Sequence, residues 1–232
     1  MSKVGYAAHY DPDLDTDRLF TDATARVIAN WVRPGDSVLE LGCATGRMTA
    51  ALVAAGASVV AVDRERSYLD RAAARGLEGV TWIEGDISTF GVTDHRDGRR
   101  FDHVVVANVV HEVADPVELL AVAARHLAPW GLVHLSLQNP RSIHRLVGFA
   151  TGVIDRLDEI SDRGHEYETR GLFDEMELRR LGWRAGLVDV HHEGVMIKPM
   201  ANDGLGALDD RTLDGFAAAA RFMPAHAAMN YL

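Results

Sequence analysis

The sequence predicts an α/β fold, a mostly parallel sheet with helices on both faces. Three observations predict it. Short apolar runs of strand length recur between segments of helical spacing. Each run is bounded by glycine, proline or aspartate. The alternation continues through five such runs from Ser37 to Leu137, with room for a helical crossover between most of them.

From Asp15 to Val32 the apolar residues Leu19, Phe20, Ala23, Val27, Ile28 and Trp31 recur at helical spacing, and Pro34-Gly35 stops the pattern. Ser37 to Leu41 is a buried parallel strand, followed by a tight turn and a helix from Met48 to Ala55 closed by Gly56. A strand from Ser58 to Val62 ends in Asp63, and the helix Ser67 to Arg75 closes with Gly76. Next come a strand Val80 to Glu84, a polar loop Thr93 to Arg100 and a strand His103 to Ala107. The helix Asp115 to Leu127 takes Asp115 as N-cap and Pro116 at its first position. Pro129-Trp130-Gly131 turns into the strand Leu132 to Leu137.

The rhythm breaks after Gln138. Residues Pro140 to Arg170 carry no strand signal and are rich in acids, which predicts a helical lid. A helix follows from about Leu172 to Leu181. The strands Leu187 to His191 and Val195 to Lys198, turning at Glu193-Gly194, are too close for a crossover and predict an antiparallel edge hairpin. Asp209 to Leu232 reads as one Ala-rich helix with an ordered end.

Composition narrows the function. The 232 residues are 47% hydrophobic and 25% charged, which suits one globular domain with a sizeable core. The net charge of −10 argues against a sequence-independent hold on nucleic acid, which needs a basic surface. Cys43 is the single cysteine, so no intrachain disulfide forms and a reducing compartment is expected. Residues Met1 to Asp15 lack an apolar core of signal-peptide type, and no apolar run approaches the ~20 residues that span a bilayer, so the cytoplasm is expected, with no membrane contact.

The chemistry begins at Glu40-Leu41-Gly42-Cys43-Ala44-Thr45-Gly46, where a strand turns into a helix. Glycines there let the backbone approach a ligand, and the helix offers its free N–H groups. Asp63 lies 21 residues after Gly42 at the end of the next strand, where a carboxylate can accept both ribose hydroxyls of a nucleoside. A dinucleotide would ask for G-x-G-x-x-G, matched to a pyrophosphate, and this turn does not have it.

The turn resembles motif I of the class I S-adenosylmethionine-dependent methyltransferases, acid-x-Gly-x-Gly-x-Gly, with Ala44 at the middle glycine. Asp63 matches the family's ribose-binding acid. Asp86, in Glu84-Gly85-Asp86-Ile87, matches the acid that accepts from the adenine amino group, with Ile87 beside the ring. Phe101 to Asn108 matches the fourth strand, whose end faces the methyl donor, and Leu187 to Lys198 matches the reversed last strand. The resemblance covers about Val38 to Pro199. It implies a Rossmann-like, seven-stranded, mostly parallel sheet with an antiparallel last strand, and S-adenosylmethionine as cofactor, leaving as S-adenosylhomocysteine. Its implied cofactor-binding residues are Glu40, Gly42, Cys43, Ala44, Gly46, Asp63, Arg64, Asp86, Ile87 and Asn108. Asn139 to Arg145, Gly164-His165 and Lys198 to Asn202 look like a bacterial subgroup that methylates small molecules.

One domain over 1–232 then divides into an N-terminal helix (14–32), a cofactor-binding half (37–138), a lid over the acceptor pocket (140–170), a closing helix with edge hairpin (172–199) and a C-terminal helix and tail (209–232). The donor methyl is already electrophilic, so the protein chiefly aligns the acceptor and excludes water. A base matters only where the acceptor must lose a proton.

His111, just past the fourth strand, is the candidate base; a partly buried histidine bonded to its loop is the plain alternative. Asn108 could orient the donor's amino-acid end or the acceptor, or cap the turn. His144 and His165 could reach the pocket from the lid or serve an ordinary surface role. Tyr10, with Tyr6 and His9, could fold over the cofactor, though terminal segments are often simply mobile. Glu112 reads as a solvated loop acid, and Cys43 as a packing residue. The histidine spacings do not fit a metal site: His111-Glu112 lacks the second histidine of H-E-x-x-H, and His191 and His192 are adjacent on a strand.

The expected function is methyl transfer to nitrogen or oxygen of a small-molecule acceptor, with a slight lean to amines from the lid acids. A protein or RNA methyltransferase and a non-catalytic cofactor-binding module are the alternatives. The oligomeric state stays open, a homodimer included.

Overall fold

A computed structural model describes residues 11–14, 16–90, 98–224 and 230–231. Five parallel strands form the sheet in the order β3-β2-β1-β4-β5: β1 Ser37–Leu41, β2 Ser58–Asp63, β3 Val80–Glu84, β4 Phe101–Ala107 and β5 Leu127–Gln138. Alternation along the strands explains the two cores. Leu39, Leu41, Val60, Val62, Val104 and Val106 face one side, against α4 (Pro116–Arg125) and α7 (Glu175–Arg184). Val38, Val59, Ala61 and Val105 face the other, against α1 (Asp17–Ala29), α2 (Arg47–Ala54) and α3 (Arg66–Ala73). Each fully buried Val or Leu contributes about 1.5–3 kcal/mol relative to exposure.

The cap of α4 follows the sequence reading. Asp115 accepts from the N–H groups of Val117 and Glu118, and Pro116 opens α4. Asp174 and Glu177 form a reciprocal capping box, which moves the start of α7 to Glu175 from the expected Leu172. The lid segment forms two short helices, α5 (Ile143–Ala150) and α6 (Asp162–Glu166).

Two expectations need correction. The turn at Pro129-Trp130-Gly131 lies inside β5: Phe101 pairs with Leu127 and His103 with Leu132, so the extra residues bulge out and leave Trp130 wholly exposed with φ +69°. The edge hairpin does not form. Residues 187–193 are not a strand, because their polar side chains are engaged elsewhere: Asp189 pairs with Arg179 at 2.6 Å and His192 with Glu175 at 3.4 Å. Between this segment and β5 lies an apolar groove of about 380 Å³.

The edge is continued instead by the short antiparallel segments β6 (Gly194–Met196) and β7 (Asn230–Tyr231); Leu137 of β5 pairs with Tyr231, and Gly194 with Tyr231 from the other side. The tail beyond Asp209 forms α9 (Asp210–Ala219) after a short α8 (Asn202–Gly206) that the sequence did not predict. Tyr6, His9 and Tyr10, and most of the Thr93 to Arg100 loop, lie outside the described residues.

The strand order reverses between β1 and β4, and the loops at their carboxyl ends part there. A ligand crevice is expected at that position in an open parallel sheet.

Candidate active site

A cavity of about 470 Å³ opens at this crevice, within the range of about 300–1,000 Å³ for small-molecule sites. Its floor is the turn after β1. Gly42 and Cys43 both donate to the Val62 carbonyl, at 2.8 and 3.1 Å, so the turn is tied to the end of β2. Gly42 has φ +89°, and a Cβ there would stand 2.5 Å from Val109 Cγ1. At Gly46, with φ +74°, a Cβ would stand 2.8 Å from the Trp82 ring. These two glycines are required by backbone shape and by neighbouring side chains, beyond any ligand. Ala44 also adopts a left-handed conformation, φ +44°, which explains why the related pattern has glycine there.

Asp63 sits at the end of β2, its Oδ2 accepting from Ala44 N–H at 2.8 Å and its Oδ1 from Glu65 N–H at 2.9 Å. Burial raises its pKa, while those two backbone donors oppose the shift. Each oxygen keeps a lone-pair direction for a ligand hydroxyl. Arg64, Asp86, Ile87 and Asn108 also line the cavity. Asp86 Oδ1 accepts from Ser88 N–H at 2.8 Å, which fixes its carboxylate at the wall. Asn108 takes φ +56°, a conformation asparagine tolerates, and its N–H donates to Ser136 at 2.8 Å.

Glu40 is buried and accepts from the Thr49 hydroxyl at 2.6 Å. Burial pushes its pKa up to about 7, a buried carboxyl poised to ionise when a cationic ligand group arrives. Burial also pushes the Cys43 thiol up, so it stays protonated and packs in the core below the turn. The hydroxyl of Thr45, on the same wall, is buried with no hydrogen-bond partner among the described residues. These carboxylates, the apolar Ile87 side chain at the cavity wall and the close backbone turn fit a nucleoside bearing a cationic amino-acid arm.

A smaller chamber of about 140 Å³ adjoins the cavity, and Thr21, Asn108 and Glu112 line both. His111 lines the chamber. Its Nδ1 is buried with no partner among the described residues, and its Nε2 lies 3.8 Å from Glu112 Oε1. Burial lowers its pKa to about 4, so the imidazole is neutral at physiological pH and only weakly basic. Glu112 is no solvated loop acid: its side chain is 23% exposed and stands at the shared wall.

The segment expected to be a lid brings Arg163, Tyr167 and Thr169 to the chamber, and brings neither of its histidines there. His165 faces solvent on α6. His144 lines neither cavity; the Ser142 hydroxyl lies 3.0 Å from its Nδ1, and burial with the charges of Lys198 and Arg145 holds its pKa down to about 3. His144 therefore belongs to the packing of α5.

Long-range hydrogen bonds tie this segment to the rest of the chain. Arg163 reaches Asp17 of α1 at 3.0 Å and stacks on Tyr167 at 4.9 Å. Arg170 N–H donates to the His111 carbonyl at 2.7 Å, and its Nε to the Glu112 carbonyl at 3.0 Å. On the donor side, Arg71 and Arg75 hold Asp13 at 2.6 Å each, which sets Pro12 against the cavity. No local signal in the sequence marks these residues, because their partners lie far along the chain.

Comparison with known proteins agrees with this fold. A methyltransferase domain family matches residues 9–192. The cypemycin N-terminal methyltransferase of a Streptomyces species is 38% identical over 135 residues, 53% of this chain and 52% of that protein. This chain thus spans about half the length of that relative. A ubiquinone biosynthesis O-methyltransferase of Methylococcus capsulatus is 28% identical over 206 residues, 86% of this chain and 85% of that one. Among solved structures, an S-adenosylmethionine-dependent methyltransferase from Mesorhizobium loti has the same fold, with a TM-score of 0.61 and 17% identity, covering 92% of this chain and 97% of that chain.

Proposed function

The chain belongs to the class I S-adenosylmethionine-dependent methyltransferases, and from that premise we propose that it transfers a methyl group to nitrogen or oxygen of a small-molecule acceptor. The observation that carries this reading is the pair of adjoining cavities with Thr21, Asn108 and Glu112 in common. One is sized and lined for the cofactor, and the other leads away from it beneath the lid.

When bound, S-adenosylmethionine supplies a methyl group made electrophilic by its sulfonium centre. In our reading Asp63 holds the ribose hydroxyls, Asp86 and Ile87 take the adenine, and the turn from Gly42 to Gly46 approaches the amino-acid arm, with Glu40 beneath it. Asn108 stands between donor and acceptor. Residues 140–170 act as the lid, with Arg163 and Arg170 fastening it and excluding water. Alignment of this kind can lower the barrier by several kcal/mol, up to ~10 in well-oriented systems. The short antiparallel segments β6 and β7 serve as this chain's version of the family's reversed edge.

Calorimetry with S-adenosylhomocysteine tests the cofactor assignment. Binding is expected, and none at millimolar ligand to the folded protein would overturn it. Labelled donor with a cell extract in a single turnover tests the acceptor class. Label in small molecules is expected; label in polymer would show a macromolecular acceptor, and no label a non-catalytic module.

A further inference from the structure

We propose that the apolar groove beside β5 is a second ligand site, which takes a neutral phenol and receives its hydroxyl at His134. No described residue of the groove lines the cavity or the chamber above, so the site stands apart from the proposed methyl transfer. At about 380 Å³ it lies within the size range of small-molecule sites.

The groove wraps the edge of β5. Among the described residues β7 covers that edge only at Leu137 and Gln138, which leaves the stretch from Leu132 to Leu135 open to the groove. Register places His134 beside Val105, on the α1 side of the sheet, while Val133 and Leu135 join the core on the α4 and α7 side. Trp31, just past α1, and Trp183, from α7, contribute to the walls.

Within these apolar walls one buried polar side chain is left over. His134 is 4% exposed, and its partners run in a line. Asp36 Oδ2 lies 3.0 Å from His103 Nε2, and His103 Nδ1 lies 2.9 Å from His134 Nε2. A carboxylate accepts, so His103 carries its proton on Nε2 and its Nδ1 accepts from His134 Nε2–H. Asp36 is itself held by the Arg33 N–H at 2.7 Å, which fixes the line at its far end. His134 Nδ1 is then an acceptor, and it has no hydrogen-bond partner among the described residues. Burial, with His103 beside it, lowers the His134 pKa to about 3, so the imidazole is neutral and keeps that lone pair.

This acceptor sets the chemistry of the occupant. A ligand that donates to Nδ1 removes the cost of an unmade hydrogen bond, and one that covers it with an apolar group does not. The indoles of Trp31, Trp130 and Trp183 suit a flat aromatic ring. At the rim Arg179 already holds Asp189 at 2.6 Å and Glu175 at 3.0 Å. An anionic ligand would meet a lone pair and these carboxylates. An ammonium would leave water for an apolar wall whose carboxylates are already paired. A phenol brings an uncharged ring and one strong O–H donor.

The test measures binding of 4-ethylphenol, its methyl ether 4-ethylanisole and 4-ethylbenzoate to the full chain by calorimetry, with and without millimolar S-adenosylhomocysteine. Histidine nitrogen-15 resonances are followed alongside. The phenol is expected to bind in both conditions, at least fivefold tighter than the ether or the benzoate, and to shift a resonance that is missing from His134→Phe. In His134→Phe the phenol and the ether should bind within twofold of one another. Trp183→Ser, on the rim, leaves the histidine line intact and should weaken the phenol at least threefold; this variant and the parent's preference for phenol over ether decide the matter if His134→Phe does not fold. No binding of the phenol, equal binding of the ether by the parent, or a parent-like preference in His134→Phe would overturn the proposal. So would an affinity untouched by Trp183→Ser or abolished by S-adenosylhomocysteine, since either would place the phenol elsewhere. A parent that sediments as a dimer and dissociates on Trp130→Ser would put a second copy of the chain in the groove, and would overturn it as well.

Discussion

The cavity we assign to the donor and the chamber we assign to the acceptor share three wall residues yet are constructed by different means. The donor cavity is made of backbone: a left-handed turn tied to β2, and carboxylates at strand ends whose oxygens are held by neighbouring N–H groups. The chamber is made of side chains from distant segments, such as Arg163 and Asp17, which are 146 positions apart. Backbone construction gives a rigid site for an invariant cofactor. Side-chain construction allows the acceptor to change without disturbing the fold.

If that contrast holds, the largest effects belong to the donor turn. Gly42→Ala should destabilise the protein by about 3 kcal/mol, from left-handed strain and the contact with Val109. Urea midpoints check this, and adding Val109→Ala should recover the packing share but not the strain. A parent-like midpoint for the single variant would mean that the turn yields, and the contrast would fail.

Glu40 should show a similar magnitude through pH. Its folded pKa is raised, from 4.5 to about 7, so its favourable contribution is present below about pH 4.5 and is lost as pH rises through 7. Relative to the parent, Glu40→Gln should gain roughly 3 kcal/mol between pH 4.5 and 8 if the Thr49 hydrogen bond persists. Thermal melts in the absence of ligand across that range check it, and a flat difference would place the carboxyl in a wetter setting.

Asp63→Ala should weaken S-adenosylhomocysteine binding by about 2 kcal/mol, the scale of hydrogen bonds to a charged group. Unchanged affinity in calorimetry would remove Asp63 from the site. The smallest effect is expected in the lid. Arg163→Met should cost under about 1 kcal/mol of stability, because the ion pair is partly solvated. It should nonetheless raise KM for the acceptor and leave cofactor affinity alone; a loss of cofactor affinity would erase the division between the two regions.

The same division governs what could be read from the chain. The strands from β1 to β4, the Asp115 cap and the acids at the strand ends follow from local periodicity and turn chemistry. Glu112 was hidden because a loop position carries no period that says which way a side chain faces. Arg163 and Tyr167 were hidden because their value depends on Asp17 and on the fold that brings it near. His144 and His165 looked functional by type, yet one is held beside Ser142 and the other faces water. The edge hairpin failed for a related reason: an edge strand is selected by competition among partners, and here the chain's own C-terminal segment takes the position next to β5.

The indole of Trp82, lying beneath Gly46, has an optical consequence. The protein has four tryptophans, and the other three, Trp31, Trp130 and Trp183, stand 39%, 100% and 54% exposed around the apolar groove. A water-borne quencher such as iodide extinguishes the emission of those three first. The fluorescence that survives comes chiefly from the ring pressed against the donor turn, so the chain carries its own unlabelled reporter of events in that cavity.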